Sequence, residues 1–592
     1  MCAIAGMVCF EQPAEALVPA VKLMLHRMRH RGPDGSGVLA KTHAALGNAR
    51  LSLVDLAGGS QPMSSPDGRW HLTYNGEVYN WRELRKALST QWIFRTDADT
   101  EVVLAALALW GETALRQFNG MFALFLWDEL TQTGFAARDG LGVKPLVYTH
   151  ADGVFAFCSE AKALVATLAM PRANADAVLE YLVAPYFSGV ESSLFATLNH
   201  LLPGQFLRIS RAGVELKTWW DWRLPDEWEL DGDHLAAELH HHLVSGVQST
   251  LPTEHPVGAF LSGGLDSTLL CALSARQGRE LKTFAVQFQG QAEFDYLSSL
   301  IVRSDDTPHA SAAAREIGSR HAMVSVPRQH LSEDLRILAS VNDALPAWEQ
   351  ELAQHHLARA VAEAGLRCVL VGDAADETHY GYPFLLDAEA TRSPAHIMQR
   401  FGLPPLNAEL TGSNACQKLA AHYENLAEAE GHRWDTPLAR LLATTYLIVK
   451  RWLPRLLHNG DIHTMAFSIE ARVPFADQQV VELARRVHPS LALHCGSEKY
   501  LLRQAARGLM PEANRTRPKS SLPKDQRAAS AYQREGALAI KASGDFLGCW
   551  LDLHAIQELC RPERQLTEAE RALLFRVISL HHWRQCYNVR KP

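Results

Sequence analysis

A short stretch in the middle of the chain, residues 262–268, has the composition of a phosphate-binding turn. It reads Ser-Gly-Gly-Leu-Asp-Ser-Thr and lies between the apolar runs 257–261 and 269–273. This pattern predicts a buried strand, a glycine turn and a helix that begins with small polar residues. Backbone N–H groups at such a turn, together with the positive end of the helix, bind anions. The residues placed to contact an anion are Ser262, Gly263, Gly264, Ser267 and Thr268, and Asp266 could hold a magnesium ion on phosphate oxygens.

The glycines are not followed by a lysine, so this turn is not the GxxxxGK[ST] loop. It resembles instead the SGGxDS pyrophosphate loop of the ATP pyrophosphatases, which split ATP between its α and β phosphates to adenylate an acyl group. An ordinary glycine turn of an α/β domain is the alternative interpretation. The predicted strand and helix on either side favour the phosphate-binding interpretation.

The second residue of the chain, Cys2, has the chemistry of a nucleophile. Removal of Met1 would leave a cysteine whose own α-amine, with a pKa near ~8, can take the thiol proton. A buried cysteine at the start of a strand is the alternative from position alone.

Several further motifs decide between these alternatives. They occupy residues 30–34, 48–55, 74–80, 96–101, 119–123 and 137–142, among alternating apolar strands and a helix expected from about 100 to 110. In this order they resemble the class II glutamine amidotransferase domain, over roughly the first 200 residues. The resemblance implies an α+β, N-terminal-nucleophile αββα sandwich, in which two stacked sheets lie between helices.

The same resemblance implies how glutamine is bound and hydrolysed. Cys2 would attack the side-chain amide, while the Asn75 side chain and the Gly76 N–H stabilise the oxyanion. Arg50 has the planar guanidinium that suits the α-carboxylate of glutamine, and Glu77 and Asp99 are the anionic partners implied for its ammonium. For Asp99, helix capping before Glu101 is an alternative that does not exclude binding. The residues implied in glutamine binding are Arg50, Leu51, Ser52, Leu53, Val54, Asn75, Gly76, Glu77 and Asp99.

The second half of the chain alternates strands with helices, which predicts a parallel sheet with helices on both faces. Ligands of such sheets bind at the carboxyl ends of the strands. Ser262, Val286 and Asp373 all follow or end predicted strands, so one ATP molecule could contact all three loops.

Taken together, the two halves resemble the glutamine-hydrolysing asparagine synthetase family essentially from end to end. Residues 467–475, 498–503 and 517–519 support this resemblance. It implies a glutamine amidotransferase domain over residues 2–210 and, over residues 226–592, an α/β parallel-sheet ATP-pyrophosphatase domain with a helical C-terminal part. Implied roles are adenosine binding by Leu261, Val286, Val371 and Gly372, magnesium binding by Asp266 and Asp376, charge neutralisation by Lys499, and action on the acyl-AMP or the amine by Asp373.

The implied reaction has two halves joined by an internal passage for ammonia. Glutamine is hydrolysed at Cys2, and ATP with Mg²⁺ activates a carboxylate as acyl-AMP, which ammonia converts to an amide, AMP and pyrophosphate. Aspartate is the expected acceptor because it is the commonest in the family. The expected partners are therefore glutamine, ATP and a carboxylic acid. A homodimer is possible.

Departures from the family pattern fall mostly in the second half and bear on the acceptor. Residues 371–377 read Val-Gly-Asp-Ala-Ala-Asp-Glu where family members carry Ser-Gly-Glu-Gly-Ser-Asp-Glu or an Asp variant. Residues 342–349 also depart from the usual acidic segment, residues 289–305 resemble an insertion, and Ala476 replaces the usual leucine. The same chemistry on another acid, in a natural-product pathway, is therefore a second interpretation.

Two other interpretations are disfavoured by the residues present. A scaffold that has lost catalysis would not need Cys2, Asp266 and Asp376. The ring-closing β-lactam synthetases of the same family use an internal amine and no glutamine, which Cys2 argues against.

Composition agrees with an enzyme of the cytoplasm. With 592 residues, 47% hydrophobic and 21% charged, the chain should form at least two globular domains. Its net charge of −7 and its lack of long basic runs argue against nucleic-acid binding. The ten scattered cysteines predict neither disulfides nor a zinc site, and neither a signal peptide nor a membrane span is expected.

Overall fold

The computed structural model describes residues 2–53, 58–225, 227–252, 255–278, 280–291, 304–327, 331–389, 391–400, 402–520 and 529–592. Within these ranges the chain forms two antiparallel sheets followed by one parallel sheet. The strands are β1 (Cys2–Cys9), β2 (Gly35–Ala40), β3 (Ala44–Arg50), β4 (Met63–Ser64), β5 (Trp70–Val78), β6 (Gly120–Asp128), β7 (Thr133–Arg138), β8 (Val147–Ala151), β9 (Val154–Cys158), β10 (Asn199–His200), β11 (Gln205–Ser210), β12 (Gly213–Thr218), β13 (Gly258–Phe260), β14 (Lys282–Phe288), β15 (Arg320–Val326), β16 (Cys368–Leu370) and β17 (Glu470–Arg472).

Helices precede, connect and follow these sheets, and most of them lie in the second half. They are α1 (Val18–Arg27), α2 (Trp81–Leu88), α3 (Asp99–Trp110), α4 (Ala161–Val165), α5 (Ala175–Val183), α6 (Gly232–Thr250), α7 (Leu265–Ala275), α8 (Thr307–Ile317), α9 (Leu331–Val341), α10 (Gln350–Glu363), α11 (Ala375–Thr378), α12 (Pro394–Arg400), α13 (Ala408–Gly412), α14 (Ala415–Ala429), α15 (Pro437–Leu447), α16 (Leu453–Met465), α17 (Gln478–Arg486), α18 (Pro489–Ala492), α19 (Tyr500–Ala505), α20 (Glu512–Thr516), α21 (Ala529–Leu547), α22 (Leu553–Leu559) and α23 (Glu568–Tyr587). None of the described helices is long and apolar enough to cross a membrane.

The first half is a sandwich of two six-stranded sheets, ordered β10-β8-β9-β1-β3-β2 and β12-β11-β7-β6-β5-β4. Inward-facing side chains of both sheets, such as Ile4, Phe125 and Phe157, form one buried cluster between them. Helix α1 buries its apolar side on the first sheet, and the largely buried α3 covers the second. The expected αββα sandwich is therefore confirmed.

The outermost strand of the second sheet lies beyond the predicted end of the first domain. Strand β12 pairs with β11 along its whole length, from Gln205 opposite Thr218 to Ser210 opposite Gly213. A boundary at residue 210 would cut this hairpin, so we propose that the first domain ends after Thr218.

The second half is built on a parallel sheet ordered β15-β14-β13-β16-β17. The chain moves outward from β13 through β14 to β15 and then returns to the other side of β13 as β16. The loops after β13 and β16 therefore diverge at a switch point, where α/β sheets bind ligands. This confirms the α/β parallel sheet and its helical C-terminal part.

Helix α16 is the buried centre of the molecule. Of its 13 residues, 12 are buried, and a π-helical turn, Ile448–Trp452, precedes it. Three consecutive residues contact three different regions. Asn459 accepts a hydrogen bond from Asn342, Gly460 lies against Asp373, and Asp461 pairs with Arg31 of the sandwich. The helix therefore lies between the two halves of the chain.

Candidate active sites

Cys2 is held at the edge of the sandwich by contacts to its backbone. It begins β1 opposite Arg50, and its N–H donates to Asn75 Oδ1 at 3.0 Å. Its carbonyl accepts from Arg31 Nε at 3.3 Å, and the Gln61 amide lies 3.8 Å from the sulfur. The backbone of Cys2 is thus fixed, while its thiol faces polar groups.

Asn75 and Gly76 lie next to Cys2, where the oxyanion site is expected. Both lie on β5, paired with Ala123 and Phe122 of β6. Asn75 is fully buried, and its Nδ2 meets no hydrogen-bond acceptor in the described part of the chain. Glycine is needed at 76, because a Cβ there would lie 2.2 Å from the carbonyl oxygen of Met121. An unpartnered amide donor beside a thiol can stabilise an oxyanion formed on that thiol's adduct.

A small cavity opens beside the thiol, and most of the predicted glutamine-binding residues line it. Ser52 and Asn75 are not among its lining residues, and the Ser52 N–H donates to Asp34 Oδ2 at 2.8 Å. Val54 lies outside the described residues. The predicted residues that line the cavity are Cys2, Arg50, Leu51, Leu53, Gly76, Glu77 and Asp99.

Two buried carboxyl groups line the cavity. Asp99 is the first residue of α3, and its Oδ2 accepts from the Tyr74 hydroxyl at 3.0 Å and from the Val78 N–H at 3.2 Å. Burial raises the pKa of Asp99, and it raises the pKa of Glu77 to about 8 although Arg472 opposes that shift. A cationic ligand group would favour the ionised forms, so the pair suits an ammonium.

In the second half, the glycine turn connects β13 to α7 as predicted. Gly263 has φ +75°, and a Cβ there would lie 2.5 Å from the backbone nitrogen of Ala310. The Ser262 and Ser267 hydroxyls are 3.0 Å apart, and the Ser262 N–H donates to Ser267 Oγ. The buried Thr268 Oγ1 has no hydrogen-bond partner among the described residues. Close packing and a left-handed backbone therefore both require glycine at 263.

A compact group of charges lies beside this turn. Lys499 Nζ is 2.5 Å from both Asp266 Oδ2 and Asp376 Oδ1, and Lys519 Nζ donates to Asp376 Oδ2. Burial opposes ionisation of Asp376, but the two lysines outweigh it and lower its pKa to about 2. Gly381 permits this approach, because a Cβ there would lie 2.2 Å from Lys499 Cε.

The same carboxylates fit a magnesium ion. Asp266 Oδ1 is buried and meets no hydrogen-bond donor within the described ranges, so it offers an oxygen ligand beside the anion-binding turn. Asp376 would supply a second carboxylate in exchange for its contact with Lys499 or Lys519. Oxygen ligands from one or two carboxylates, completed by phosphate oxygens, are the usual environment of Mg²⁺ in nucleotide sites.

Asp373 lies at the carboxyl end of β16, against α16. A Cβ at Gly460 would be only 3.2 Å from Asp373 Oδ2, so the helix leaves room for this carboxylate. Burial and the charge of Asp376 raise the pKa of Asp373 to about 6. Its neighbour Ala374 has φ +76°, a left-handed conformation that alanine rarely adopts.

The residues expected to hold adenosine lie around the turn. The Leu261 N–H donates to Phe284 O at 2.9 Å, and the Val371 N–H donates to Arg472 O at 3.0 Å. Phe260 pairs with Phe284, which places Val286 level with residue 262 of the turn. A Cβ at Gly372 would lie 3.3 Å from Asp266 Cβ, so the loops after β13 and β16 touch.

The segment 342–349, which departs from the family pattern, packs on α16. Asn342 Nδ2 donates to Glu351 at 2.8 Å and to Asn459 at 2.9 Å, and Arg455 donates to the carbonyl of Ala344 at 3.0 Å. The segment is thus fixed between α10 and α16. Of the expected insertion 289–305, residues 292–303 lie outside the described ranges.

Several residues at these sites were given no role from the sequence. They lie in or next to motifs, but they contact residues that are tens to hundreds of positions away in the sequence, as Arg472 contacts Glu77. Charged residues inside apolar runs, as in Ile469-Glu470-Ala471-Arg472-Val473, are the signal that could have identified some of them. The residues missed are Arg31, Gln61, Glu470, Arg472 and Lys519.

The two halves match two known families. Residues 1–220 match the glutamine amidotransferase domain family, and residues 238–585 match the asparagine synthase family. With the sandwich and the parallel sheet described above, these matches define a glutamine-hydrolysing, ATP-dependent carbon–nitrogen ligase. The second match alone covers more than half of the chain, which belongs to the asparagine synthase family.

Relatives of known name extend along most of the chain. Asparagine synthetase [glutamine-hydrolyzing] 1 of Bacillus subtilis is 29% identical over 85% of this chain and 83% of its own. The amidase chyE of Penicillium rubens is 26% identical, with 86% of each chain covered. A solved glutamine phosphoribosylpyrophosphate amidotransferase from B. subtilis is 15% identical, with 63% of this chain and 81% of its own covered and a TM-score of 0.28.

Proposed function

We propose that the chain synthesises asparagine: it hydrolyses glutamine at Cys2 and transfers the ammonia to aspartate activated by ATP. The observation that carries the proposal is the pairing of two sites across α16. One has a thiol beside an unpartnered amide donor, and the other has carboxylates and lysines beside a glycine turn. Each arrangement suits one half-reaction.

In the first half-reaction, Cys2 Sγ forms a bond to the side-chain carbonyl carbon of glutamine. With Met1 removed, the α-amine of Cys2 takes the thiol proton and passes it to the departing ammonia. Asn75 Nδ2 and the Gly76 N–H donate to the oxyanion. Water then hydrolyses the thioester to glutamate and restores the thiol.

In the second half-reaction, an acceptor carboxylate oxygen attacks the α-phosphorus of ATP and pyrophosphate departs. Lys499 and Lys519 offset the phosphate charge, while the N–H groups of the turn at Gly263 hold the pyrophosphate. Magnesium held by Asp266 and Asp376 would supply further charge neutralisation at the phosphate oxygens.

Asp373 is the group placed to handle the proton of the incoming amine. Ammonia attacks the acyl carbon and AMP departs, which leaves a proton on nitrogen to be removed. A carboxylate with a pKa of about 6 is mostly ionised at neutral pH and still basic enough to accept that proton.

Ammonia would be protonated and diluted in bulk water, so we propose that it travels inside the protein. A chain of contacts runs from Cys2 through Arg31 to Asp461 of α16, whose neighbour Gly460 lies against Asp373. The proposed passage follows this buried face of α16.

Some residues of the second half support an acceptor other than aspartate. Residues 371–377 depart from the pattern of the family, and segment 342–349 is also unusual. A relative of similar coverage is named an amidase rather than a synthetase. Amidation of another carboxylic acid is therefore the alternative to asparagine synthesis.

Pyrophosphate release distinguishes the two acceptors. The purified chain is given glutamine, ATP and Mg²⁺ with aspartate or with one of a panel of other carboxylic acids, and the amide is identified by mass spectrometry. We expect turnover with aspartate. Turnover with another acid and none with aspartate would establish the alternative.

A further inference from the structure

The glutamine cavity has a wall that comes from the second half of the chain. Glu470 lines this cavity together with Cys2, Arg50 and Asp99, although it belongs to β17 of the parallel sheet. β17 is the edge strand of that sheet. The cavity is therefore completed only where the sandwich and the sheet meet.

Arg472, two residues further along β17, joins the two carboxylates of this wall. Its Nε donates to Glu470 Oε1 at 2.6 Å, and its Nη2 donates to Glu77 of the sandwich. A third bond goes from Nη1 to the Thr250 carbonyl, and the side chain is fully buried. One guanidinium is thus shared by two buried carboxylates that face the same cavity.

The backbone of the same residue reaches the other site. The Arg472 carbonyl accepts from the Val371 N–H at 3.0 Å, and Val371 leads directly into Gly372 and Asp373. A second set of bonds connects β17 to the sandwich through Arg367. The Glu470 N–H donates to the carbonyl of Arg367, whose guanidinium binds Asp34 at 2.6 and 2.9 Å.

A ligand ammonium bound beside Glu77 and Glu470 would alter how these two carboxyl groups share Arg472. At Glu77, burial outweighs the charge of Arg472, and the pKa is raised. At Glu470, burial also acts to raise the pKa, but the charge of Arg472 outweighs it and lowers the pKa to about 2. A second cation beside Glu77 and Glu470 would compete with Arg472 for the same oxygens. Arg472 is part of β17, and the carbonyl of Arg472 bonds the Val371 N–H. A shift of its guanidinium would therefore displace the strand that positions Val371.

We propose that Glu470 is a further glutamine-binding residue, and that Arg472 is a positioning residue that couples glutamine binding to the loop carrying Asp373. This inference rests on the proposed use of glutamine and ATP by the two sites. Coupling of this kind is reciprocal: ATP must change the affinity for glutamine by the same factor by which glutamine changes the affinity for ATP.

The test is calorimetric titration of glutamine into the full chain carrying Cys2→Ala, with and without saturating ATP and Mg²⁺. In this parent we expect ATP to change the glutamine Kd by at least about 5-fold, the lower end of typical coupling. Adding Arg472→Lys should reduce that factor to below about 2. Adding Glu470→Gln should weaken glutamine binding by about 10-fold or more, because a charge-assisted bond is lost.

Arg485→Lys is the matched control, since Arg485 pairs with Glu482 on α17 and contacts neither site. It should leave the glutamine Kd and the ATP effect unchanged. Thermal melts establish that each variant is folded, and Glu470→Gln, which is isosteric, tests the binding role if Arg472→Lys does not fold.

An ATP effect that survives in Arg472→Lys, or is absent in the parent, would overturn the coupling. Unchanged glutamine affinity in Glu470→Gln would overturn the binding role. Ammonium-supported pyrophosphate release by the chain with Cys2 intact is measured separately, so that a failure of the coupling is distinguished from a failure of the proposed reaction.

Discussion

At the residue scale, the ionisation of Asp373 sets the pH range of the proposed reaction. Its pKa is raised to about 6 by burial and by the charge of Asp376, so the basic form is lost as the pH falls through 6. We expect the rate of amide formation to fall with pH below about 6, which is the acidic limb of the pH–rate profile. Asp373→Asn should remove this limb and lower kcat by about 10²–10⁴-fold. Asp387→Asn, at an exposed carboxylate of the following loop, is the control and should keep the wild-type profile. A pH profile that is the same in Asp373→Asn and in the wild type would assign the limb to another group.

At the scale of the element, the loop between β16 and α11 stores backbone strain beside the site. Ala374 has φ +76°, whereas Ala375 begins α11, and both side chains are fully buried. Replacing either by glycine removes the same buried methyl group, so the two variants differ mainly in the backbone. We expect Ala374→Gly to be more stable than Ala375→Gly by about 1–2 kcal/mol, because only the first relieves a left-handed alanine. Chemical denaturation measures this difference, and equal stabilities would show that the loop is not strained.

At the scale of the whole molecule, the two halves leave a small cavity at their junction. It is lined by Ala476, where the family usually carries leucine, and by aromatic residues of the sandwich including Phe118 and Trp219. Filling a cavity commonly adds about 0.5–2 kcal/mol, so Ala476→Leu should raise the melting temperature. Ala492→Leu is the control: this alanine is buried in α18, and overpacking there should lower the melting temperature. A lower melting temperature for Ala476→Leu would mean that the junction cannot accept the larger side chain.

The sequence is informative where chemistry depends on short motifs, and less so where it depends on contacts between the halves. Cys2, Asn75 and Asp266 each lie in a motif from which their proposed roles were predicted, and the αββα sandwich and the parallel sheet were both predicted. Arg472 lies in a motif too, but its contact with Glu77 joins residues 395 positions apart and exists only after the halves pack. The wall formed by Glu470 was missed for the same reason.

The most direct test of the account replaces the nucleophile and supplies nitrogen from two sources. Cys2→Ala removes the only thiol placed in the described glutamine cavity and leaves the second site unchanged. We expect glutamine-supported amide formation to fall by about 10³-fold or more, while ammonium-supported formation stays within about 2-fold of the wild type. Loss of both activities, or retention of the glutamine-supported one, would contradict the division of the reaction between the two sites.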